Sequence, residues 1–237
     1  MIEVIRPPES QFIRRVVIVC HGLNHSSQNL AELRAVLASD STIVIQLTLA
    51  GHSKESLLGV RPWMPLWLEE LKKALSLAQE CAGQSQAEIQ FVGFSLGCLL
   101  FLLLSEEFAH CPFQRAIFLA PVLRLDLKIR ILQSLGIFRV PYLPSFGQKK
   151  TRVHAWLPVS MYQALGQALK KLDRIDPDRW KIPILILMDP RDKVVRYKNV
   201  KNWITEKGWA NWQFIPIRMD GPQRRRTGFH LMTDSDA

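Results

Sequence analysis

Ser95 lies in a sequence pattern that fits a serine nucleophile. It is the centre of the pentapeptide Gly-Phe-Ser-Leu-Gly at residues 93–97, which follows the apolar pair Phe91-Val92 and precedes a long apolar run at 98–104. A strand, a sharp turn and a helix in this order strain the serine backbone and expose the hydroxyl above a sheet. Any side chain at either glycine of the pentapeptide is expected to collide with the neighbouring strand or helix. The pattern therefore predicts that Ser95 attacks an acyl carbonyl.

A nucleophilic serine needs a base that takes its proton and an acid that orients this base. His230 is the predicted base, because it follows the last β-rich run, at 212–217, and can descend onto the same edge of the sheet. Asp189 and Asp192 both come just after an earlier apolar run. We favour Asp192, because Asp189 directly precedes a proline and is suited to shaping the turn. The predicted triad is thus Ser95, Asp192 and His230, with Asp189 as the alternative acid.

Backbone amides must stabilise the negative oxygen that forms when a carbonyl is attacked. The amide of Leu96 is one predicted donor, since it follows the nucleophile and begins a helix whose positive end faces the site. The other is the amide of Leu23 in the segment 21–25, where Gly22 allows the backbone to turn sharply. We therefore expect an oxyanion hole formed by the amides of Leu23 and Leu96.

The elements that position these residues alternate along the chain. Nearly continuous apolar runs predict buried parallel strands, and apolar residues at helical spacing between them predict helices. This alternation indicates an α/β fold with a mostly parallel, twisted sheet, helices on both faces, and a site beyond the carboxyl ends of the strands. The predicted strands cover 16–20, 42–47, 89–92, 116–119, 184–187 and 212–217, and the predicted helices cover 27–40, 66–82 and 98–104.

The length of 237 residues fits one domain. The alternation lapses between Pro121 and about Trp180, although 161–172 has a helical pattern. We interpret 122–180 as an excursion between two core strands. The sequence thus predicts a single domain over 1–237 that contains one insertion.

The composition, with 48% apolar and 22% charged residues, is typical of a packed globular domain. The longest apolar run, at 96–104, is well below the roughly 20 residues of a membrane-spanning helix. The first residues lack the pattern of a secretory signal, so we expect a cytoplasmic protein. The four cysteines lack the spacing of a zinc site, and we interpret them as free thiols with no metal bound.

The motifs taken together resemble those of the monoacylglycerol-lipase-like carboxylesterases, a branch of the α/β-hydrolase superfamily. The resemblance covers most of 16–233 and implies the same triad, the same oxyanion donors, a small cap formed by about 122–180, and no cofactor. It rests on five ordered motifs, at 21–26, 51–53, 93–97, 192–195 and 229–234.

The resemblance also implies an activity, namely hydrolysis of acyl esters through an acyl-enzyme intermediate. An apolar acyl chain is favoured, with Phe94, Phe138, Tyr142 and Trp156 as candidate substrate contacts, although such residues are equally compatible with core packing. Thioesters and lysophospholipids remain alternative substrates. A related enzyme that acts on a non-ester bond, for example a haloperoxidase-like or peptidase-like member, and a non-catalytic protein that binds a ligand or partner are further alternatives.

A formal charge of +10 favours contact with anionic partners, including anionic lipid surfaces. No nucleic acid is expected, since the basic residues are not interleaved with aromatics and no zinc-finger or basic-zipper pattern occurs. The run Arg224-Arg225-Arg226 precedes His230 in the predicted loop. It can attract a phosphate or carboxylate near the pocket, or it can form a solvated loop.

Overall fold

A computed structural model of the chain describes residues 1–7, 12–39, 41–54, 56, 59, 61–83, 85–124, 141–145, 151–175, 181–192, 194–209 and 211–218. The strands are β1 (Ile2–Ile5), β2 (Arg15–Cys20), β3 (Thr42–Leu47), β4 (Glu88–Phe94), β5 (Arg115–Leu119), β6 (Tyr142–Pro144), β7 (Trp156–Pro158), β8 (Ile184–Met188) and β9 (Trp212–Pro216). The helices are α1 (Ala31–Leu37), α2 (Trp63–Gly83), α3 (Leu96–Ser105), α4 (Val159–Leu172) and α5 (Tyr197–Lys207), and a 3₁₀ turn, Ser27–Leu30, leads into α1.

The described strands form a central sheet of seven members in the order β1-β3-β2-β4-β5-β8-β9. Every neighbouring pair is parallel except β1 and β3, which are antiparallel. All six predicted strands are present within a few residues of their expected bounds. The mainly parallel sheet predicted from the alternation of elements is thus confirmed, and its carboxyl ends meet at one edge.

Two apolar layers cover the two faces of this sheet. Alternate residues of β2 point to opposite faces, so that Val16 and Ile18 belong to the larger core while Val17 and Val19 belong to the smaller one. The larger core includes buried residues of α2, α3 and α4, whereas α1 packs against the smaller core. Helices on both faces were predicted, and the structure confirms them.

Helix α3 is the most deeply buried helix of the described chain, because every residue from Leu96 to Ser105 is buried. It packs against α2, α4 and the strand β4 that leads into it. A helix that is apolar on all sides is stable only inside the protein, which agrees with the predicted buried helix after Ser95.

The stretch 122–180 contributes two described features, namely helix α4 and a small two-stranded ladder. Strands β6 and β7 pair antiparallel, with Leu143 opposite Leu157. Leu157 is buried, whereas the neighbouring Trp156 and Tyr142 are exposed, so one face of the ladder packs on the protein. Helix α4 matches the helical pattern predicted for 161–172. The interpretation of 122–180 as a cap stays a prediction.

Strands β1, β6 and β7 and helix α5 were not predicted. None of the helices in the described part of the chain has the length and apolarity needed to cross a bilayer. The four cysteines are free thiols, as predicted.

Candidate active site

Ser95 lies at the turn between β4 and α3, with a backbone φ of 49° and ψ of −104°. A positive φ is uncommon for a residue with a side chain and indicates local strain. Neighbouring backbone fixes this conformation, since the Ser95 amide donates to the Leu119 carbonyl at 2.9 Å and its carbonyl accepts from the Val122 amide at 3.4 Å. The strained turn predicted for the nucleophile is therefore present.

The two glycines beside Ser95 are required by close backbone approach. A Cβ at Gly97 would lie 2.5 Å from the carbonyl oxygen of Cys20 in β2. A Cβ at Gly93 would lie 2.9 Å from the amide nitrogen of Cys98 in α3. These are collisions with a neighbouring strand and a neighbouring helix, as the sequence predicts.

The segment after β2 lies directly against the turn that carries Ser95. A Cβ at Gly22 would approach the Phe94 ring to 2.8 Å and the Ser95 Cβ to 3.1 Å, so any other residue would require the Phe94 ring to move. The next residue is Leu23, the predicted oxyanion donor, and among the described residues its amide has no hydrogen-bond partner. Leu96 is the first residue of α3, and amides in a first helical turn have no acceptor within the helix. Both predicted donors therefore lie beside Ser95 in sequence or in space.

His21 anchors the start of this segment. Its Nε2 accepts from the Leu49 amide at 3.0 Å, so the ring proton is on Nδ1, which donates to the Gly22 carbonyl at 2.8 Å. Complete burial lowers the pKa of His21 to about 3, with smaller effects from its own hydrogen bond and from nearby positive charge. His21 is thus a neutral positioning residue, and its nitrogen lone pair is not available to act as a base.

His52 lies next to His21, with ring centroids 4.9 Å apart, and its ring edge meets Trp67. Its Nδ1 lies 3.0 Å from the Ala50 carbonyl. Burial lowers the pKa of His52 well below the usual value. Both histidines precede Ser95 in the chain, whereas the base of such a triad follows the serine, and their burial is a further reason against that role.

Asp189 and Asp192 follow β8, but their carboxylates have different partners. Asp189 is completely buried and binds Arg191 through both oxygens, with guanidinium contacts of 3.0 and 2.7 Å and a 2.8 Å hydrogen bond from the Arg191 amide. The predicted turn-shaping role of Asp189 is confirmed by these bonds.

Asp192 is oriented by backbone instead. Its Oδ1 accepts from the amides of Val194 and Val195 at 2.8 and 2.9 Å. The side chain borders a cleft of about 400 Å³. Strands β4 and β8 are separated only by β5, which puts their ends about 10 Å apart. A histidine between Asp192 and Ser95 would span this distance.

The remaining predicted residues differ in their surroundings. Phe94 is 3% exposed and packs against His25 with a centroid distance of 5.0 Å, whereas Tyr142 and Trp156 are 38% and 57% exposed. Phe138, the Arg224 to Arg226 run and the predicted base His230 lie outside the described residues. The triad, the oxyanion donors and the substrate contacts therefore stay predictions, and the structure brings Ser95, Leu23, Leu96 and Asp192 to one edge of the sheet.

Two features of the site were missed by the sequence reasoning. One is the set of hydrogen bonds made by Asn24, whose partners lie more than 120 residues away in the chain. The other is the ion pair of Asp189 with Arg191, which the spacing of these residues after a strand could have suggested. Within the described ranges, no group of three or more His, Cys, Asp or Glu is arranged to hold a metal ion.

A strained serine between a strand and a buried helix, at the carboxyl edge of a mostly parallel sheet, defines a protein of the α/β-hydrolase fold. The chain belongs to the family described as serine aminopeptidase, S33, whose model matches residues 11–159, more than half of its length. The match includes the segments around Leu23 and Ser95 and ends before Asp192 and His230. No match was found among curated proteins.

Solved structures show the same fold. One of the metagenome-derived lipolytic enzymes LipS and LipT has a TM-score of 0.71 at 20% identity, over 91% of this chain and 87% of the other. A monoglyceride lipase from Saccharomyces cerevisiae has a TM-score of 0.72 at 13% identity, over 91% and 82%. A thioesterase domain from the curacin biosynthetic pathway has a TM-score of 0.63 at 13% identity, over 91% and 88%. At these identities the likeness concerns the fold alone.

Proposed function

We propose that this protein is a serine hydrolase that cleaves acyl esters with Ser95 as its nucleophile. The observation that carries the proposal is the strained Ser95 backbone, with the Gly22 segment packed against the serine and the N-terminus of α3 directly after it. A serine in a turn of this kind is suited to attack an acyl group, and this supports the proposal that the amides of Leu23 and Leu96 stabilise the negative charge that develops. Membership in a hydrolase family supports the same conclusion.

The proposed reaction has two steps. The Ser95 oxygen attacks the acyl carbonyl while His230 takes its proton, and Asp192 holds the imidazole in the required orientation. The amides of Leu23 and Leu96 stabilise the oxyanion, which collapses and expels the alcohol with the proton from His230. Water then attacks the acyl-enzyme, with His230 again acting as base, and releases the acid.

An apolar acyl chain is the proposed substrate group. The stretch 122–180 is proposed as a cap, and its ladder exposes Tyr142 and Trp156, two aromatic side chains suited to contact hydrocarbon. We include Phe94 and Phe138 as further contacts. The alcohol or thiol that carries the acyl group is left open, and lysophospholipid and thioester remain alternatives.

A fluorophosphonate probe tests the nucleophile directly. We expect rapid labelling of the native protein and none of Ser95→Ala. Ser76→Ala is the matched control, since Ser76 is a serine of α2 whose hydroxyl bonds only to its own helix, and it should label like the native protein. Equal labelling of Ser95→Ala, or no labelling of the native protein, would refute the proposal.

Hydrolysis of an amide bond is the second candidate activity. It is favoured by the description of the matching family as serine aminopeptidase, and the same triad can attack an amide. A panel of p-nitrophenyl esters of increasing chain length, an acyl-CoA and amino acid p-nitroanilides separates these activities. The ester proposal requires the highest kcat/KM on an ester, whereas preference for an anilide would establish the second candidate.

Peripheral contact with anionic lipid surfaces is a further proposal. It is supported by the +10 charge of the chain and by the exposed aromatic side chains of the ladder. Binding to vesicles that contain phosphatidylserine, weakened by salt and absent with phosphatidylcholine alone, is the expected result.

A further inference from the structure

Asn24 directly follows Leu23, the proposed oxyanion donor, and its carboxamide is fully engaged. Its Nδ2 donates to the Ser145 hydroxyl at 2.6 Å and to the His154 carbonyl at 2.7 Å. Its Oδ1 accepts from the His154 amide at 2.9 Å. The residue is 3% exposed, so these bonds are shielded from water, where they are harder to replace.

The backbone around Asn24 is held by the same part of the chain. The Asn24 carbonyl accepts from the Val153 amide at 3.2 Å, and His25 forms a β-bridge with Arg152. Further along, the Nδ2 of Asn29 donates to the Thr151 carbonyl at 2.8 Å. Ser145 and residues 151–154 therefore hold the segment that follows β2.

The backbone of Asn24 has a φ of 54°, a left-handed conformation that asparagine and glycine adopt more readily than other residues. This conformation turns the chain sharply immediately after Leu23. On the other side of Leu23, Gly22 packs against Phe94 and Ser95. The Leu23 amide thus lies between Gly22, which packs against the turn that carries Ser95, and Asn24, which is held by its hydrogen bonds.

We propose that Asn24 is a positioning residue that couples Ser145 and residues 151–154 to the oxyanion hole. The carboxamide binds Asn24 to Ser145 and His154, and this fixes the direction of the preceding Leu23 amide. This inference rests on the proposed function, because it assumes that Leu23 donates to the oxyanion. Displacement of Ser145 and residues 151–154 then weakens binding of the transition state, although the position of Ser95 does not change.

The test compares Asn24→Gly with Asn29→Ala. Glycine accommodates the positive φ without strain and removes the side chain that carries the carboxamide. Asn29 also donates to backbone, at the Thr151 carbonyl, so Asn29→Ala removes a bond of the same kind. It is the control because Asn29 lies five residues after Asn24. Both variants are expected to lower the Tm.

Kinetics separate a positioning role from a merely structural one. Removal of an entire oxyanion donor lowers kcat about 10²- to 10³-fold, and a misdirected donor should lose part of this. We expect kcat for a p-nitrophenyl ester to fall about 10- to 100-fold in Asn24→Gly, with KM changed less than about 3-fold. Affinity for a trifluoromethyl ketone, which forms a tetrahedral adduct, should fall by the same factor. Asn29→Ala should keep its kcat within about 3-fold.

Ser145→Ala removes the hydroxyl that accepts from Asn24, and it tests the same contact if Asn24→Gly does not fold. It should lower kcat and ketone affinity together, by a smaller factor, and should add little to Asn24→Gly in the double variant. The proposal would be overturned if Asn24→Gly and Asn29→Ala both had the kcat of an active native protein. If Asn24→Gly is unfolded, an unchanged kcat in Ser145→Ala would overturn it as well. A native protein that is not labelled by fluorophosphonate would overturn the proposed function instead.

Discussion

Asp192 and Asp189 show how two similar residues after one strand differ in what their carboxylates can do. Both carboxylate oxygens of Asp189 accept hydrogen bonds from Arg191. By contrast, the backbone amides of Val194 and Val195 donate to one oxygen of Asp192. Backbone donors fix the carboxylate without neutralising its charge. Asp192 is therefore better suited to orient a histidine and to stabilise its positive form.

Asparagine substitution at each position tests this difference. We expect Asp192→Asn to lower kcat about 10⁴-fold, because a neutral amide favours the wrong histidine tautomer. Asp189→Asn should retain most of the kcat and lower the free energy of unfolding by about 1 to 3 kcal/mol, because the Arg191 pair is lost. Ester hydrolysis and urea unfolding of both variants give the two quantities. A greater loss of turnover in Asp189→Asn would assign the acid to Asp189.

Sequence reasoning found these residues because their types follow strands in a known order, but it could not find Asn24. The partners of Asn24 are 121 and 130 residues away, and nothing local in the sequence marks such a pairing. The asparagine itself, next to a glycine-containing turn, was only a weak sign of a positive φ. The nucleophile was predictable because its glycines, its strand and its helix are contiguous.

At the scale of elements, the nucleophile depends on how closely β2, β4 and α3 approach one another. The carbonyl of Cys20 in β2 occupies the space next to Gly97, and this backbone atom cannot rotate away as a flexible side chain would. Gly97 therefore has a packing role that is separate from any flexibility of the turn.

Gly97→Ala should destabilise the protein by at least about 2 kcal/mol, because a strand or helix must move to admit the methyl group. Gly83→Ala is the matched control, because a Cβ there meets nothing within 4 Å and Gly83 ends α2. Its free energy of unfolding should stay within about 1 kcal/mol of the native value. Thermal unfolding of both proteins measures the difference, and similar Tm values for the two variants would contradict the packing argument.

Strand β1 and helix α5 were missed by the sequence analysis for a common physical reason, namely a weak apolar pattern. Strand β1 is four residues long and, among the described strands, pairs with β3 alone at the sheet edge, so it lacks the continuous burial that marks a central strand. Helix α5 buries only Val200, Trp203 and Ile204 among eleven residues, which leaves a weak apolar stripe. Strands buried on both faces, such as β2 and β3, carry the strong signal and were predicted.

For the whole molecule, buried histidines link stability to pH. Burial lowers the pKa of His21 to about 3 and lowers the pKa of His52 well below its usual value. In the unfolded chain both titrate near 6.5. Between these values the unfolded chain holds more protons than the folded protein, so the free energy of unfolding rises with pH. The stability is complete above about pH 6.5 and decreases as the pH falls from there.

The expected decrease is about 1.4 kcal/mol per pH unit for each histidine that takes up a proton only on unfolding. Urea unfolding followed by tryptophan fluorescence between pH 7.5 and about 5 measures it, in a range where most carboxylates remain ionised. His52→Gln removes one such histidine and should reduce the slope. His110→Gln, at an exposed histidine, should leave it unchanged. If both variants keep the native slope, then burial of His52 does not set the acid sensitivity.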